Sequence, residues 1–247
     1  MNGIEVRFLG CGDAFGSGGR LQSCIHVSHD GGRFLIDCGA SCLIGMSRFG
    51  VEPNDIGLIV VSHLHGDHYG GIPFLVNASQ IAFGRTEPLT VLGPPGTKDV
   101  LVRAMEILFP GSSRVARKFA LHVGEFSDRE TVTACGIAVT PYRNIHPQAD
   151  PSFALRIGCR GRIIGYSGDT QWTDALLDVA RGADLFIAEA YSYGKQARGH
   201  MDYVTLMNHY GETEAKRLVL THMGREMLSM CGKADCECAE DGKRILL

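Results

Sequence analysis

The sharpest signal in this sequence is the stretch Val60-Val61-Ser62-His63-Leu64-His65-Gly66-Asp67-His68. It begins in the last residues of the apolar run Ile56–Ser62, and such a run is typical of a strand buried on both faces. Because side chains two apart in an extended chain point the same way, His63 and His65 should converge on one point. Gly66 allows a sharp turn, which directs Asp67 and His68 to a second, adjacent point. Imidazole and carboxylate ligands together suit zinc or a similar ion, so the stretch predicts a metal site at a strand end.

Three further residues could complete such a site, and each follows a strand-like segment. His146 comes after Ile137–Tyr142, Asp169 after Arg162–Tyr166 and His222 after Arg217–Thr221. Loops just beyond strands are where α/β proteins place their chemistry. Taken alone, each of the three is as well explained by a structural role, but beside the histidine-rich stretch they read as a ligand set.

The order of the predicted elements indicates an α/β protein with two sheets. Each half of the chain begins with short β-like runs and continues with a helix or two, which favours two sheets with helices outside. The helix candidates include Gly71–Phe83, Thr97–Leu108 and Trp172–Ala180. No Pro- or Ser-rich linker separates the halves, so we expect one domain over residues 1–247.

Composition excludes several classes of protein. The 247 residues are 45% hydrophobic and 21% charged, which rules out a disordered chain, a coiled coil and a fibrous protein. No apolar run reaches the ~18 residues of a membrane span, so no membrane association is expected. The net charge of −3 argues against a broad basic groove for nucleic acid.

The cysteines and the first residues together predict a cytoplasmic protein. The start, MNGIEVRFLG, lacks the pattern of a secretory signal, and nine cysteines is an odd number, which favours reduced thiols. In the tail, Cys231, Cys236 and Cys238 lack the paired C-x2-C knuckles of a zinc ribbon. A thiol-bearing loop is therefore favoured over a metal site there.

The sequence resembles the metallo-β-lactamase fold superfamily, and within it ribonuclease Z and its small armless relatives. The resemblance covers roughly Phe8 to Gly224 and is carried, in order, by Asp37, His63, His65, Asp67, His68, His146, Asp169 and His222. Supporting stretches are Gly10–Gly16, Ser167–Thr170, Ala188-Glu189-Ala190, Gly199-His200 and Leu220-Thr221-His222-Met223. The implied architecture is an αββα four-layer sandwich, with two mixed sheets and helices on the outer faces.

The resemblance also implies a ligand assignment. His63, His65 and His146 would hold one metal, Asp67, His68 and His222 the other, and Asp169 would bridge the two. Asp37 would orient a ligand from behind. The expected cofactors are two divalent ions, zinc in first place, with manganese and iron as alternatives.

The implied function is a dinuclear-zinc hydrolase that cleaves a phosphodiester by attack of a metal-bound hydroxide. Asp67 would orient the hydroxide, and His200 would act as general acid or phosphate contact with Glu189 behind it. The alternative keeps the metals and changes the bond, giving a lactonase, a thioesterase or a β-lactamase-like amidase. A metal-bound scaffold without activity is disfavoured by the complete ligand set.

Two departures from ribonuclease Z bear on the substrate. Only 22 residues separate His146 from Asp169, where the bacterial pattern carries the arm that grips transfer RNA, and Met201 stands where a serine is expected. The acidic balance adds to this, because RNA binding depends on Lys and Arg. We therefore expect a small-molecule or short phosphodiester substrate rather than transfer RNA. Dimers are common among the relatives, so a homodimer is an open expectation.

Overall fold

Fourteen strands and seven α-helices form in the part of the chain that the computed structural model describes, residues 3–149 and 151–247. The strands are β1 Glu5–Gly10, β2 Cys24–His29, β3 Gly32–Ile36, β4 Ile56–Val60, β5 Leu89–Gly93, β6 Leu121–Glu125, β7 Val132–Ala134, β8 Ile137–Arg143, β9 Phe153–Cys159, β10 Arg162–Tyr166, β11 Leu185–Glu189, β12 Leu218–Thr221, β13 Glu237–Cys238 and β14 Arg244–Leu246. The helices are α1 Cys42–Phe49, α2 Gly66–Tyr69, α3 Ile72–Ile81, α4 Thr97–Leu108, α5 Ala175–Ala180, α6 Tyr203–Tyr210 and α7 Arg225–Met230.

The strands make two seven-stranded mixed sheets of similar design. The first has the order β14-β1-β2-β3-β4-β5-β6, antiparallel from β14 to β3 and parallel from β3 to β6. The second has the order β13-β12-β11-β10-β9-β8-β7, parallel from β13 to β10 and antiparallel from β10 to β7. Strands β3, β4, β8, β10 and β12 all run towards the same edge of the sandwich, so the loops that follow them meet there.

Three apolar layers hold the sheets and helices together. Strand β4 shows the arrangement, because Leu58 and Val60 face the second sheet while Ile59 and Val61 face helices α1, α3 and α4. A matching outer layer packs the second sheet against α5, α6 and α7. The expected four-layer αββα sandwich is thus confirmed, and so is the strand buried on both faces before the histidine-rich stretch.

The structure differs from the sequence-based elements mainly at their ends. The helix predicted over Trp172–Ala180 begins only at Ala175, because Thr170 and Gln171 donate backbone hydrogen bonds to Glu189 and to the carbonyl of Ile145. The helix predicted over Gly71–Phe83 is shorter by a few residues, as helix ends commonly are.

None of the helices in the described part of the chain combines the length and apolar character that a bilayer crossing requires. All nine cysteines are free thiols. In the tail, Cys231 Sγ lies 3.4 Å from Met223 Sδ. The groups of side chains that could hold a metal, among the described residues, do not include the tail cysteines.

Candidate metal centre

The predicted ligands come together at the edge of the sandwich where the strand ends meet. His63 and His65 follow β4, and Asp67 and His68 lie on the short helix α2, which begins at Gly66. The other three occupy loops of the second sheet: His146 follows β8, Asp169 follows β10 and His222 follows β12. The structure brings all seven side chains of the sequence prediction into one cluster.

Within the cluster the side chains form three groups that all include Asp169. The first two consist only of predicted ligands, and the third joins Asp169 and His222 with Glu189 and His200. In the first, ligand atoms of His63, His65, His146 and Asp169 all lie within 4.8 Å of one another. In the second, the same holds for Asp67, His68, Asp169 and His222. The division matches the ligand sets that the family resemblance implies, with Asp169 between them.

The second group is nearly closed off from solvent. His68 Nε2 lies 3.2 Å from Asp67 Oδ2 and 3.3 Å from Asp169 Oδ1, and His222 Nε2 lies 3.1 Å from Asp67 Oδ2. All four side chains are at most 6% exposed. The first group is more open, because His65 is only half-buried.

Several polar atoms of the cluster are buried without a hydrogen-bond partner. They include His63 Nε2, His68 Nε2 and Asp169 Oδ1. A buried polar atom without a partner is costly, and native proteins almost always satisfy such atoms. The donor set is imidazole and carboxylate, which suits a divalent ion such as zinc. The residues present therefore fit a metal, and the unpartnered atoms point to where it would bind.

A buried carboxylate, Asp37, supports the histidine-rich stretch after β4. It accepts hydrogen bonds from the backbone N–H of Ser62 at 2.7 Å, from Ser62 Oγ at 2.9 Å and from Tyr166 Oη at 2.8 Å. It also faces His68 Nδ1 at 2.6 Å. With the His68 proton on Nδ1, its Nε2 presents a lone pair to the centre, which is the usual arrangement behind a metal-bound histidine.

Backbone carbonyl groups hold two of the ligands that come from the second sheet, His146 and His222. His146 Nδ1 lies 2.7 Å from the carbonyl oxygen of Gly199, and the N–H of His222 donates to the carbonyl of Cys11 at 3.0 Å. Both Asp37 and His222 have left-handed backbone, with φ of 58° and 55°. Such conformations cost energy in non-glycine residues and tend to occur at functional sites.

His200 and Glu189 form a pair at the mouth of the cluster. His200 Nδ1 lies 3.0 Å from Glu189 Oε2 and 3.8 Å from Asp169 Oδ2, and the side chain is 21% exposed. Glu189 is fully buried and also accepts the backbone N–H of Thr170. The ring of Tyr191 stacks on His200, with ring centroids 4.9 Å apart.

Burial and charge act in opposite directions on the pKa values in the cluster. Burial lowers the pKa of His200, but the hydrogen bond and the charge of Glu189 outweigh burial and raise this pKa to about 9. Burial and the neighbouring His68 together hold the pKa of His63 well below its usual value. Burial raises the pKa of Asp67, but His68 and His222 outweigh it and lower that pKa. Burial likewise opposes, but the surrounding carboxylates raise, the pKa values of His68 and His222, so His63 is the imidazole of the cluster whose pKa is held lowest.

Sequence reasoning missed Tyr166 and Tyr191. Tyr166 ends β10 three residues before Asp169 and reaches across to Asp37 on the other sheet, a contact that no local spacing reveals. Tyr191 follows Glu189 by two residues, and its packing against His200 depends on the chain path after β11.

The four remaining histidines of the chain lie outside the cluster. These are His26, His29, His122 and His209. Trp172 stacks on His209 with ring centroids 4.2 Å apart and packs at the margin of the second outer layer.

Comparison with known families gives a match over almost the whole chain. The family described as "Anti-Pycsar protein Apyc1" matches residues 4–243. Ribonuclease Z from Methanothermobacter thermautotrophicus is 29% identical over 266 aligned positions, covering 89% of this chain and 86% of the relative.

Solved structures give the same fold. The short form of human tRNase Z, ELAC1, superposes with a TM-score of 0.76 at 26% identity, covering 98% of both chains. The metallo-β-lactamase fold protein YhfI from Bacillus subtilis superposes with a TM-score of 0.80 at 21% identity, covering 99% of this chain and 100% of that one. The fold assigned from the sequence, and its likeness to ribonuclease Z, are both confirmed.

Proposed function

This chain belongs to the Apyc1 family of anti-Pycsar proteins, and we propose that it cleaves a small phosphodiester at a centre of two divalent ions, zinc in first place. It is a metal-dependent hydrolase of the metallo-β-lactamase fold, close to ribonuclease Z. The observation that carries the finer proposal is the pair of four-residue ligand groups sharing Asp169.

Each group offers enough ligands for one ion. His63, His65 and His146 would hold the first, Asp67, His68 and His222 the second, and Asp169 would contribute to both. When bound, two divalent ions activate water at neutral pH and stabilise the charge that develops on the phosphoryl oxygens. Asp37 keeps His68 in the tautomer that this requires.

The protein side chains supply proton handling around the reacting phosphorus. Asp67 faces the centre with Oδ2 and can accept a hydrogen bond from the attacking water, which orients it. His200, a cation held by Glu189, can contact a phosphate oxygen or protonate the leaving oxygen. Its partial exposure lets it reach a substrate that enters from solvent, and as a cation it complements the negative charge of a phosphodiester, which a lactone or an amide lacks. That favours the phosphodiester over the alternative bonds.

The size and charge of the protein support a small substrate. The described residues between His146 and Asp169 form strands β9 and β10, joined by a tight turn at Gly161, and this short connection supports a substrate other than transfer RNA. The net charge of −3 adds no general attraction for RNA.

One set of assays tests the proposal. Wild type and His200→Ala are compared on an RNA dinucleotide, bis(p-nitrophenyl) phosphate and an aryl lactone, with zinc or manganese added. We expect His200→Ala to slow dinucleotide cleavage by about 10²–10⁴-fold, the usual value of a general acid, and lactone cleavage by less than tenfold. The nitrophenyl ester separates the two roles of His200, because its good leaving group needs no proton. A small loss there indicates a general acid, and a large loss a phosphate contact.

The matched control is His209→Ala, at a half-exposed histidine stacked on Trp172, which should behave as wild type. Metal analysis of the purified protein should return close to two ions per chain. Equal losses on the lactone and the phosphodiesters would argue against phosphodiester specificity, and one ion or none would remove the two-metal centre.

A further inference from the structure

The C-terminal segment 239–243 crosses between the two sheets at the edge that carries the metal centre. Ala239 donates its N–H to the carbonyl of Leu220 on β12 at 2.7 Å. Three residues later, Gly242 donates to the carbonyl of Phe8 on β1 at 2.6 Å, and Phe8 donates back to Lys243 at 3.0 Å. The segment lies within the residues 4–243 that the family model matches.

Asp241, in the middle of this segment, closes a loop of the first half. Its Oδ1 accepts the N–H of Cys11 at 3.1 Å, and its Oδ2 accepts the N–H of Leu21 at 2.8 Å. The carboxylate therefore joins the two ends of the loop 11–21. The two ends are also joined directly, because the N–H of Gly12 donates a hydrogen bond to the carbonyl of Leu21 at 2.7 Å. A second tie runs from Arg20 Nη1 to the carbonyl of Ala239 at 2.7 Å.

The closed loop bears directly on a predicted metal ligand. The carbonyl of Cys11 accepts the N–H of His222 at 3.0 Å and the Thr221 hydroxyl at 3.3 Å. His222 has φ of 55°, in the left-handed region that a residue with a Cβ adopts only when its surroundings impose it. Through Cys11, the surroundings of His222 include Asp241.

We propose that Asp241 is a positioning residue of the metal centre, which fixes the Cys11 carbonyl and thereby the backbone of His222. The inference rests on the proposed metal-binding role of His222. Asp241 itself touches neither substrate nor metal. Its two carboxylate oxygens each accept a hydrogen bond from one backbone N–H. In Asp241→Asn the amide oxygen could still accept one of these bonds, but the amide NH2 group would face the other N–H and could not accept from it. Asp241→Ala would leave both without this acceptor.

The test compares Asp241→Ala and Asp241→Asn with Glu240→Gln, which removes the adjacent, exposed carboxylate. Metal-free protein is titrated with Zn²⁺ against a chromophoric chelator. We expect one of the two ions, the one that His222 would hold, to lose about 10–100-fold in affinity in Asp241→Ala, the effect usual for residues behind a metal ligand. The other ion should change less than threefold, and Asp241→Asn should lie between Asp241→Ala and wild type. Glu240→Gln should match wild type for both ions.

Amide hydrogen exchange in the metal-free proteins gives a second readout. The amides of Cys11 and Leu21 should exchange at least tenfold faster in both Asp241 variants than in Glu240→Gln. A lower melting temperature with unchanged Zn²⁺ affinities and unchanged exchange would overturn the proposal, because a purely structural residue would behave so. If Asp241→Ala does not fold, Asp241→Asn decides by the same two measurements.

These readouts separate the inference from the proposed function. Loss of Zn²⁺ affinity in the Asp241 variants supports positioning even if wild type cleaves no phosphodiester. Conversely, an active wild type whose Asp241 variants bind Zn²⁺ and exchange like Glu240→Gln would overturn positioning and leave the phosphodiesterase proposal standing.

Discussion

The two halves of the molecule supply the metal centre in different ways. The first half contributes four predicted ligands from one short stretch, His63 to His68, at the end of a single buried strand. The second half contributes three, His146, Asp169 and His222, each from the loop after a different strand. A compact motif and a dispersed set thus meet at one point.

The supports of the ligands differ in the same way. In the first half a side chain, Asp37, orients His68 and ties it to Ser62. In the second half main-chain carbonyls of Gly199 and Cys11 hold His146 and His222. A support made of side chains can be removed by one substitution, whereas a support made of backbone depends on the path of a whole loop. The contrast suggests that the first half can be weakened locally and the second only through its loops.

The largest expected effect tests whether the halves build one centre. His68→Ala and His222→Ala remove one ligand from each half of the second group. Since a bound metal contributes several kcal/mol to the transition state, each variant should lose phosphodiesterase activity by about 10³-fold or more. The measurement is kcat/KM on the dinucleotide. His122→Ala, at an exposed histidine on β6, is the control and should keep wild-type activity. Retention of activity within tenfold by either ligand variant would break the assumption of a shared centre.

A smaller effect concerns a buried histidine of the first half that has no carboxylate hydrogen-bonded to it. His26 on β2 is 5% exposed, and neither of its ring nitrogens has a hydrogen-bond partner. Burial lowers the pKa of His26 from 6.5 to about 4, and Arg33 and Arg7 add to this while Asp55 opposes it. The contrast with His68, which Asp37 supports, is between a histidine kept neutral and one held by an anion.

The pH dependence follows from the sign of that shift. Because the pKa of His26 is lower in the folded chain, the unfolded chain binds more protons between pH 6.5 and 4. The free energy of unfolding should therefore fall as the pH is lowered through this window, by about 2 kcal/mol more in wild type than in His26→Leu. Urea unfolding at pH 7 and pH 4.5 measures the difference, with His122→Leu as control. Parallel pH dependence in wild type and His26→Leu would contradict a buried neutral histidine.

The same contrast explains what could be predicted from the sequence. The first-half ligands were predictable because strand periodicity places His63 and His65 together without knowledge of the fold. His146, Asp169 and His222 became interpretable only through the family resemblance, since their convergence depends on the alignment of two sheets. Tyr166 and Asp241 could not be found, because the residues that they contact, Asp37, Cys11 and Leu21, lie more than a hundred residues away in the sequence.

The smallest expected effect concerns the side-chain contact through which the second half supports the first. Tyr166, on β10, is fully buried and donates its hydroxyl hydrogen bond to Asp37 at 2.8 Å, across the boundary between the sheets. Tyr166→Phe removes the hydroxyl with little change of shape, and Asp37 keeps Ser62 and His68 as partners. Loss of one hydrogen bond of this kind should lower the free energy of unfolding of metal-free protein by about 1–2 kcal/mol.

Metal affinity decides what that contact means for the two halves. If Asp37 is a first-half support that needs no help, Tyr166→Phe should lower Zn²⁺ affinity by less than about threefold, while Asp37→Asn lowers it by about 10–100-fold. Equal losses in the two variants would show that the orientation of His68 depends on the second sheet as much as on Asp37. The first half would then not be supported locally, because its supporting residue, Asp37, would itself depend on Tyr166 of the second sheet.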